Sequence, residues 1–123
     1  MFKRISLEIR YARSYPVEAA IWEEDGILHY SNKTRFGIKW IEDEISDENI
    51  SEFEKKLNRI GIDKWEKVYT PKGYDVLDGE SWTVTYEDSD GKKITVIGEN
   101  AYPSNWRTFR NIIESVAGNF NEE

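Results

Sequence analysis

Few residue types in this sequence could carry catalytic chemistry. His29 is the single histidine and there is no cysteine, and no serine or acid stands at a spacing that would identify a catalytic triad with His29. The lack of cysteine also excludes thiolate nucleophiles, disulfides and zinc–thiolate sites, and it favours a reducing, cytoplasmic compartment. We therefore interpret His29 as a surface or cross-strand histidine and predict that the protein is not an enzyme.

Paired carboxylates could act as general acid and base, as they do in glycosidases. The acids that stand apart from charge runs are Asp75, Asp78 and Glu80, close to Tyr74 and Trp82. An acid beside a glycine in a loop more often bonds its own backbone within a turn. The structural interpretation is favoured, and we predict no catalytic residue.

The segment Asp88–Gly91 resembles part of a calcium-binding loop. If Gly91 is aligned with the required loop glycine, Tyr86 and Ile97 occupy the first and last ligand positions, and neither can serve there. The glycines of the chain also lack the spacings of phosphate-binding loops. We interpret Asp88–Gly91 as a hairpin turn and predict no metal and no cofactor.

Rare residue types cluster between Leu77 and Val116. Pro103 and Ser104 suit the start of a helix, which explains part of this cluster structurally. The same helix start could instead hold an anion or a polar ligand between the 77–82 loop and the 100–106 corner. The candidate residues for ligand or partner binding in this region are Asp78, Asn100, Tyr102 and Asn105.

The chain contains five tryptophans, an unusually large number for its length. Trp40, Trp82 and Trp106 fall at positions that favour burial in the core. Trp22 shares a strand face with Ala20 and is expected to be partly exposed. A partly exposed tryptophan is a typical anchor for another protein, because its rigid ring offers contact area at low entropic cost. Trp22 is therefore a candidate partner-binding residue.

These candidate residues must be positioned by strands, which alternating apolar and polar residues predict along much of the chain. Asp25-Gly26 predicts a two-residue hairpin turn. Trp65–Tyr69 is either a short strand or an irregular return. The predicted strands are Lys3–Tyr11, Glu18–Glu24, Ile27–Asn32, Arg35–Ile41, Glu80–Asp88 and Lys92–Gly98.

Two amphipathic helices are predicted, over residues 46–61 and 104–117, from apolar residues at helical spacing. Gly61 is the expected C-cap of the first helix. An acidic run over residues 42–48 precedes this helix. Its acids would favour the positive end of the helix dipole, or they could form an acidic contact surface. Both interpretations stay open.

The order of elements predicts a single α+β domain over residues 1–123, with N-terminal strands within 1–45 and a hairpin over 80–98. Strands joined by short turns favour a mainly antiparallel sheet, of about five to six strands, with both helices packed on one face in a two-layer arrangement.

Composition restricts the class of partner. The sequence has 17 basic and 24 acidic residues, which gives a net charge of −7. This negative charge disfavours a nucleic-acid partner. No apolar run is long enough for a membrane span and no signal peptide is evident. We expect another protein as the partner, with a basic surface.

The pattern Leu-Asp-Gly-x-x-Trp at 77–82, followed by a hairpin and by Gly-x-Asn-Ala-Tyr-Pro-x-Asn-Trp at 98–106, resembles a family of small bacterial cytosolic proteins. The resemblance extends from Tyr69 to Val116. Because that family has no assigned activity, it implies a coherent C-terminal unit and no catalytic residue.

Our leading hypothesis from the sequence is a non-enzymatic protein–protein interaction module of bacterial or mobile-element origin. Its sharper form is an acidic inhibitor or immunity-type protein that blocks a basic partner. The alternatives are a small-ligand-binding protein or enzyme that uses the 77–82 loop and the 100–106 corner, and a structural or assembly subunit.

Overall fold

The computed structural model describes residues 2–11, 16–33, 40–45, 50–70 and 80–117, and for residues 40–45 it describes the backbone alone. Within these ranges the chain forms one sheet and two α-helices. The strands are β1 (Phe2–Tyr11), β2 (Val17–Glu24), β3 (Ile27–Lys33), β4 (Trp40–Ile45), β5 (Val68–Tyr69), β6 (Glu80–Asp88) and β7 (Lys93–Glu99). The helices are α1 (Ile50–Ile60) and α2 (Trp106–Ala117).

The sheet has the strand order β4-β3-β2-β1-β6-β7-β5. All neighbouring strands are antiparallel except the two-residue β5, which runs parallel to β7. The predicted α+β fold class is confirmed. The first strand lies in the middle of the sheet, so it joins the β2–β4 meander to the later β6–β7 hairpin.

One face of the sheet carries the hydrophobic core, because successive residues of a strand point to opposite faces. On β1 the side chains of Ile5, Leu7 and Ile9 are buried, and they alternate with more exposed polar residues. Strand β2 follows the same pattern through Val17, Ala19 and Ile21. We call this side the closed face.

Both helices bury their apolar stripes in that same core. Phe53 and Leu57 of α1, together with Phe109 and Ile113 of α2, belong to one cluster with the buried strand residues. The end of α2 is tied to β3, since Asn32 Nδ2 donates a hydrogen bond of 2.7 Å to the carbonyl of Ala117. The opposite side of the sheet, which neither helix covers, is called the open face.

The first hairpin turn lies where the sequence predicts it. Asp25 and Gly26 both have positive φ, 55° and 78°, which a two-residue turn of this kind requires. Gly61 also adopts the left-handed conformation, at φ 70°, directly after α1. Both glycines thus act at the chain reversals for which their lack of a Cβ suits them.

The acidic run was predicted to lie before and within the first turn of the first helix. The structure instead places part of this run in a strand. Glu42, Asp43 and Glu44 lie in β4, and α1 begins only at Ile50. Residues 46–49, and residues 35–39 of the predicted Arg35–Ile41 strand, lie outside the described residues. The pairing of β4 with β3 explains why these acids lie in a strand. Ile41 and Ile45 stand opposite the buried Asn32 and Leu28 of β3, and this pairing outweighs the preference of the acids for a helix start.

Candidate functional site

The open face is organised in rows that run across the strands. Residues directly opposed in an antiparallel pair project from the same face and lie close together. One row contains small side chains on five successive strands, β3, β2, β1, β6 and β7. Its members are Ser31, Ala20, Ser6, Thr85 and Thr95.

Four members of this row form the floor of a trough on the open face. The trough has a volume of about 380 Å³, near the lower end of the roughly 300–1,000 Å³ typical of ligand sites. Ser6, Ala20, Ser31 and Thr85 lie along its floor. Ala20 is 7% exposed, which shows that larger neighbours rise on both sides of it.

The first wall carries a pair of carboxyl groups. Glu8 on β1 stands directly opposite Glu18 on β2, and Thr83 of β6 continues the wall on the other side of Glu8. Arg10 Nε donates a hydrogen bond of 2.8 Å to Glu8 Oε1, and Lys33 of β3 is the register partner of Glu18. We call Glu8 and Glu18 the carboxylate pair.

Within the carboxylate pair, the pKa of Glu18 is raised. Burial raises the pKa of Glu18, and a hydrogen bond with Glu8 and the charge of Glu8 raise it further. The charges of Lys33 and Arg10 act in the opposite direction without cancelling the rise. The surroundings of Glu18 therefore favour its protonated form more than water does.

The second wall carries a stack of rings and a guanidinium group. Arg4 lines the trough, and its Cζ lies 5.3 Å from the ring centroid of Trp22. On the far side Trp22 stacks on His29, with centroids 5.7 Å apart and planes 13° apart. His29 Nε2 lies 3.7 Å from Glu24 Oε2. His29 is thus a cross-strand histidine, as expected, and Trp22 is half-buried on the open face.

The far edge of the open face is apolar. Val68 of β5 and Ile97 of β7 are register partners, and they are 52% and 45% exposed. Ile97 continues the row of the carboxylate pair through Thr83. The open face therefore combines a ring stack, a polar trough and an exposed apolar pair.

A second groove lies between the two helices, on the other side of the molecule. Its volume is about 450 Å³, and Ile60 and Ile112 contribute apolar surface to it. Lys56 and Arg59 also line this groove. These cations make the helix groove a poor surface for a basic partner.

In the 100–106 corner, Asn100 forms hydrogen bonds with the backbone of Glu80. It has φ 52°, and its Oδ1 accepts a 3.0 Å hydrogen bond from the backbone N–H of Glu80. Its own N–H donates to the carbonyl of Glu80, also at 3.0 Å. Asn100 therefore closes the end of the β6–β7 hairpin.

Asn105 joins the two helices. Its Nδ2 donates to the carbonyl of Ile60 at 2.9 Å, at the end of α1. Its Oδ1 accepts a 3.0 Å hydrogen bond from Trp65 Nε1. The side chain is therefore engaged in packing α1 against α2 rather than in capping α2.

Tyr102 covers the core tryptophan of the corner. Its ring stacks on that of Trp82 with centroids 6.2 Å apart, and its hydroxyl donates to Glu80 Oε1 at 2.6 Å. Burial, followed by the hydrogen bond and charge of Glu80, raises the pKa of Tyr102. Tyr102 remains 37% exposed, so of the three corner residues it offers the largest surface to solvent.

The remaining predicted residue of this region, Asp78, lies in residues 71–79, outside the described part of the chain. The structure thus brings Asn100, Tyr102 and Asn105 into one corner, where each has a hydrogen-bonding partner. It places Trp22 elsewhere, on the open face. The binding roles proposed for these residues stay predictions.

The trough residues could not be identified from the sequence alone. Ser6, Glu8, Glu18 and Ser31 are ordinary polar positions of alternating strands. The Asp25-Gly26 turn does determine the β2–β3 register, which aligns Ala20 with Ser31. No local signal shows that β1 pairs with β6, and this pairing is what brings Thr83 and Thr85 to the trough.

Within the described ranges, no group of three or more histidine, aspartate or glutamate side chains is placed to hold a metal ion. Neither described helix is long and apolar enough to cross a membrane.

The described residues define a two-layer α+β protein in which both helices pack on the closed face of the sheet. Comparison with models of protein families, with curated proteins and with solved structures found no match. The resemblance over Tyr69 to Val116 stays a prediction.

Proposed function

We propose that this protein is a non-enzymatic protein-binding module of bacterial or mobile-element origin, and that it binds its partner through the open face. The observation that carries the proposal is the open face, which neither described helix covers and on which Arg4 lies over Trp22 beside a trough. A cytoplasmic location is part of the proposal.

The composition of the open face supports protein contact. Trp and Arg are enriched among the residues that dominate binding energy at protein interfaces. Here Arg4 lies over one side of the Trp22 ring and His29 stacks on the other, so the ring is held in place before a partner arrives. A prearranged ring loses less entropy on binding. The exposed Val68 and Ile97 extend the contact area at the far edge.

The charge of the molecule supports a basic partner. The net charge of −7 attracts a cationic protein over distance, and the glutamates of the carboxylate pair lie on the open face itself. Complementary charge raises association rates and suppresses wrong partners. An acidic inhibitor or immunity-type protein that covers a basic functional surface would act in this way.

A paired-variant capture experiment tests the open face. Ala20→Gln places a neutral, larger side chain in the trough floor, whereas Ser51→Gln makes the same kind of change at an exposed position of α1, away from the open face. Immobilised protein is exposed to extract of the source cell, and retained proteins are quantified by mass spectrometry. We expect the partner to be retained by the wild type and by Ser51→Gln but lost from Ala20→Gln. Equal retention by all three would reject the open face.

Salt dependence then tests the acidic-inhibitor form of the proposal. The dissociation constant for the captured partner should rise by about tenfold or more as salt increases from about 0.05 M to about 0.5 M, since exposed charges are screened. Isothermal titration calorimetry at several salt concentrations measures this directly. A dissociation constant that stays flat over that range excludes a mainly electrostatic inhibitor.

A further inference from the structure

We infer that the helix groove between α1 and α2 is the docking site of the chain's own segment 118–123, Gly-Asn-Phe-Asn-Glu-Glu. Phe120 covers the apolar surface of the groove, and Glu122 and Glu123 pair with cations along it. The segment itself lies outside the described residues. The groove is formed by the helices and not by the open face, so this contact goes beyond the proposed function.

Two cations of the groove have no counter-ion in the described part of the chain. Lys56 and Arg59 are exposed and line the groove, and neither forms a salt bridge with a described residue. Lys55, the neighbour of Lys56, does have a partner, since its Nζ lies 3.9 Å from Glu52 Oε1. We call Lys56 and Arg59 the groove cations. On a protein with a net charge of −7, they form a local surface that suits a segment with carboxylates.

The groove also offers apolar surface beside the groove cations. Ile60 of α1 and Ile112 of α2 line it, and Ile112 is only half-buried. The volume of about 450 Å³ lies within the roughly 300–1,000 Å³ typical of binding sites. Phe120 is the single large apolar residue of segment 118–123, and two acids follow it closely. Burial of the ring is the larger favourable contribution to such a contact, and ion pairs at the surface add less.

The described structure ends beside the groove. Asn105 Nδ2 donates a 2.9 Å hydrogen bond to the carbonyl of Ile60, so the start of α2 lies at the end of α1. From there the groove follows α2 as far as Ser115. The described part of α2 ends at Ala117, close to Ser115. Segment 118–123 therefore begins at one end of the groove.

The segment is long enough to turn back along the groove. Gly118 suits such a reversal, because glycine readily adopts the left-handed conformation that commonly follows a helix. Along the helix axis Ile112 lies about 7.5 Å before Ala117, at a rise of about 1.5 Å per residue. Three extended residues span about 10 Å, which brings Phe120 level with Ile112, and six span about 20 Å, which brings the acids within range of the groove cations. Covalent attachment gives the segment a high effective concentration at the groove, so modest contacts suffice.

NMR of the full chain labelled with ¹⁵N tests the contact of the ring. Phe120→Ser removes the ring, whereas Asn121→Ser, at the next position, removes neither ring nor charge and is the matched control. We expect Phe120→Ser to shift the amides of Lys56 and Arg59, which are distant in sequence, and Asn121→Ser to leave them in place. In the wild type the ¹H–¹⁵N heteronuclear NOE of the Phe120 amide should approach that of α2.

Charge reversal tests the pairing with the groove cations. Lys56→Glu combined with Arg59→Glu should release the segment, with a loss of its heteronuclear NOE. Lys55→Glu, on the same helix but outside the groove lining, is the matched control and should leave the NOE unchanged. Adding Glu122→Lys and Glu123→Lys to the released variant should restore the NOE, because the charges are then complementary again. Circular dichroism melting verifies that each variant is folded.

A segment that is as mobile in the wild type as an unstructured peptide overturns the inference, and so do groove amides that do not respond to Phe120→Ser. Loss of the NOE that the reversed charges fail to restore, in a folded variant, overturns the pairing with the groove cations. Groove amides that shift with protein concentration would assign the groove to a second copy of the chain and reject the intramolecular contact. Partner capture through the open face is measured separately, so the two proposals can fail independently.

Discussion

At the scale of single residues, Gly98 shows how closely the corner is packed. A Cβ at Gly98 would overlap the indole ring of Trp82, and that ring is 2% exposed and donates a 3.0 Å hydrogen bond from Nε1 to the carbonyl of Ala101. Trp106 lies 4.4 Å from Trp82 between ring centroids. The ring therefore has no free direction in which to move.

Gly98→Ala should for this reason destabilise the protein strongly. Overpacking in a dense core costs about 1–3 kcal/mol or more, and here the obstacle is a large buried ring rather than a flexible side chain. Urea denaturation monitored by tryptophan fluorescence measures the loss. Gly91→Ala, at a turn with open space around it, is the comparison variant: its positive φ of 88° adds strain without a clash. A stability of Gly98→Ala equal to that of the wild type would contradict the packing argument.

At the scale of elements, the carboxylate pair affects the β1–β2 ladder in a way that depends on pH. The pKa of Glu18 is raised on folding, so the folded state holds a proton at Glu18 more tightly than the unfolded state does. The stabilisation is present below the unfolded-state pKa, and it is lost as pH rises through the folded-state pKa. At neutral pH the ionised Glu18 therefore weakens the ladder that holds it.

Glu18→Gln should therefore stabilise the protein at neutral pH, by about 0.2–1 kcal/mol, the usual range for a cross-strand pair. Below about pH 4 the variant and the wild type should converge. Thermal melts of both proteins across this pH range measure the difference. A variant that is less stable than the wild type at pH 7 would show that the ionised pair does not oppose folding.

Most elements were predictable from the sequence because their periodicity is local. Alternation along β1 and β6, and the turn at Asp25-Gly26, need no knowledge of distant residues. The strand β4 was harder, since its acids suggest a helix start until Ile41 and Ile45 are set against β3. The candidate site was harder still to predict. The partial exposure of Trp22 could be predicted from its position on a strand face. The trough, in contrast, depends on the pairing of β1 with β6, which are separated by more than seventy residues of chain.

At the scale of the whole molecule, the central place of β1 makes the fold depend on distant segments. β1 pairs with β2 along one edge and with β6 along the other. A chain without β6 and β7 exposes the second edge of β1, and one without α2 exposes the closed face. Unpaired central edges and bare apolar faces promote association rather than folding.

A fragment of residues 1–70 should therefore not form a stable monomer. We expect weak secondary structure or aggregation, measured by circular dichroism and light scattering. Mixing this fragment with a second fragment of residues 71–123 should restore the sheet signal if the β1–β6 pairing is the missing interaction. A folded, monomeric 1–70 fragment would show that β6 is not required.

The central position of β1 also has a consequence for synthesis. Ser6 leaves the ribosome well before its neighbour on the trough floor, Thr85, which emerges some eighty residues later. During translation the nascent chain carries Glu8 and Glu18 without the β6 side of the trough. A partner that recognises the complete trough can therefore distinguish a finished, folded molecule from one that is still being made.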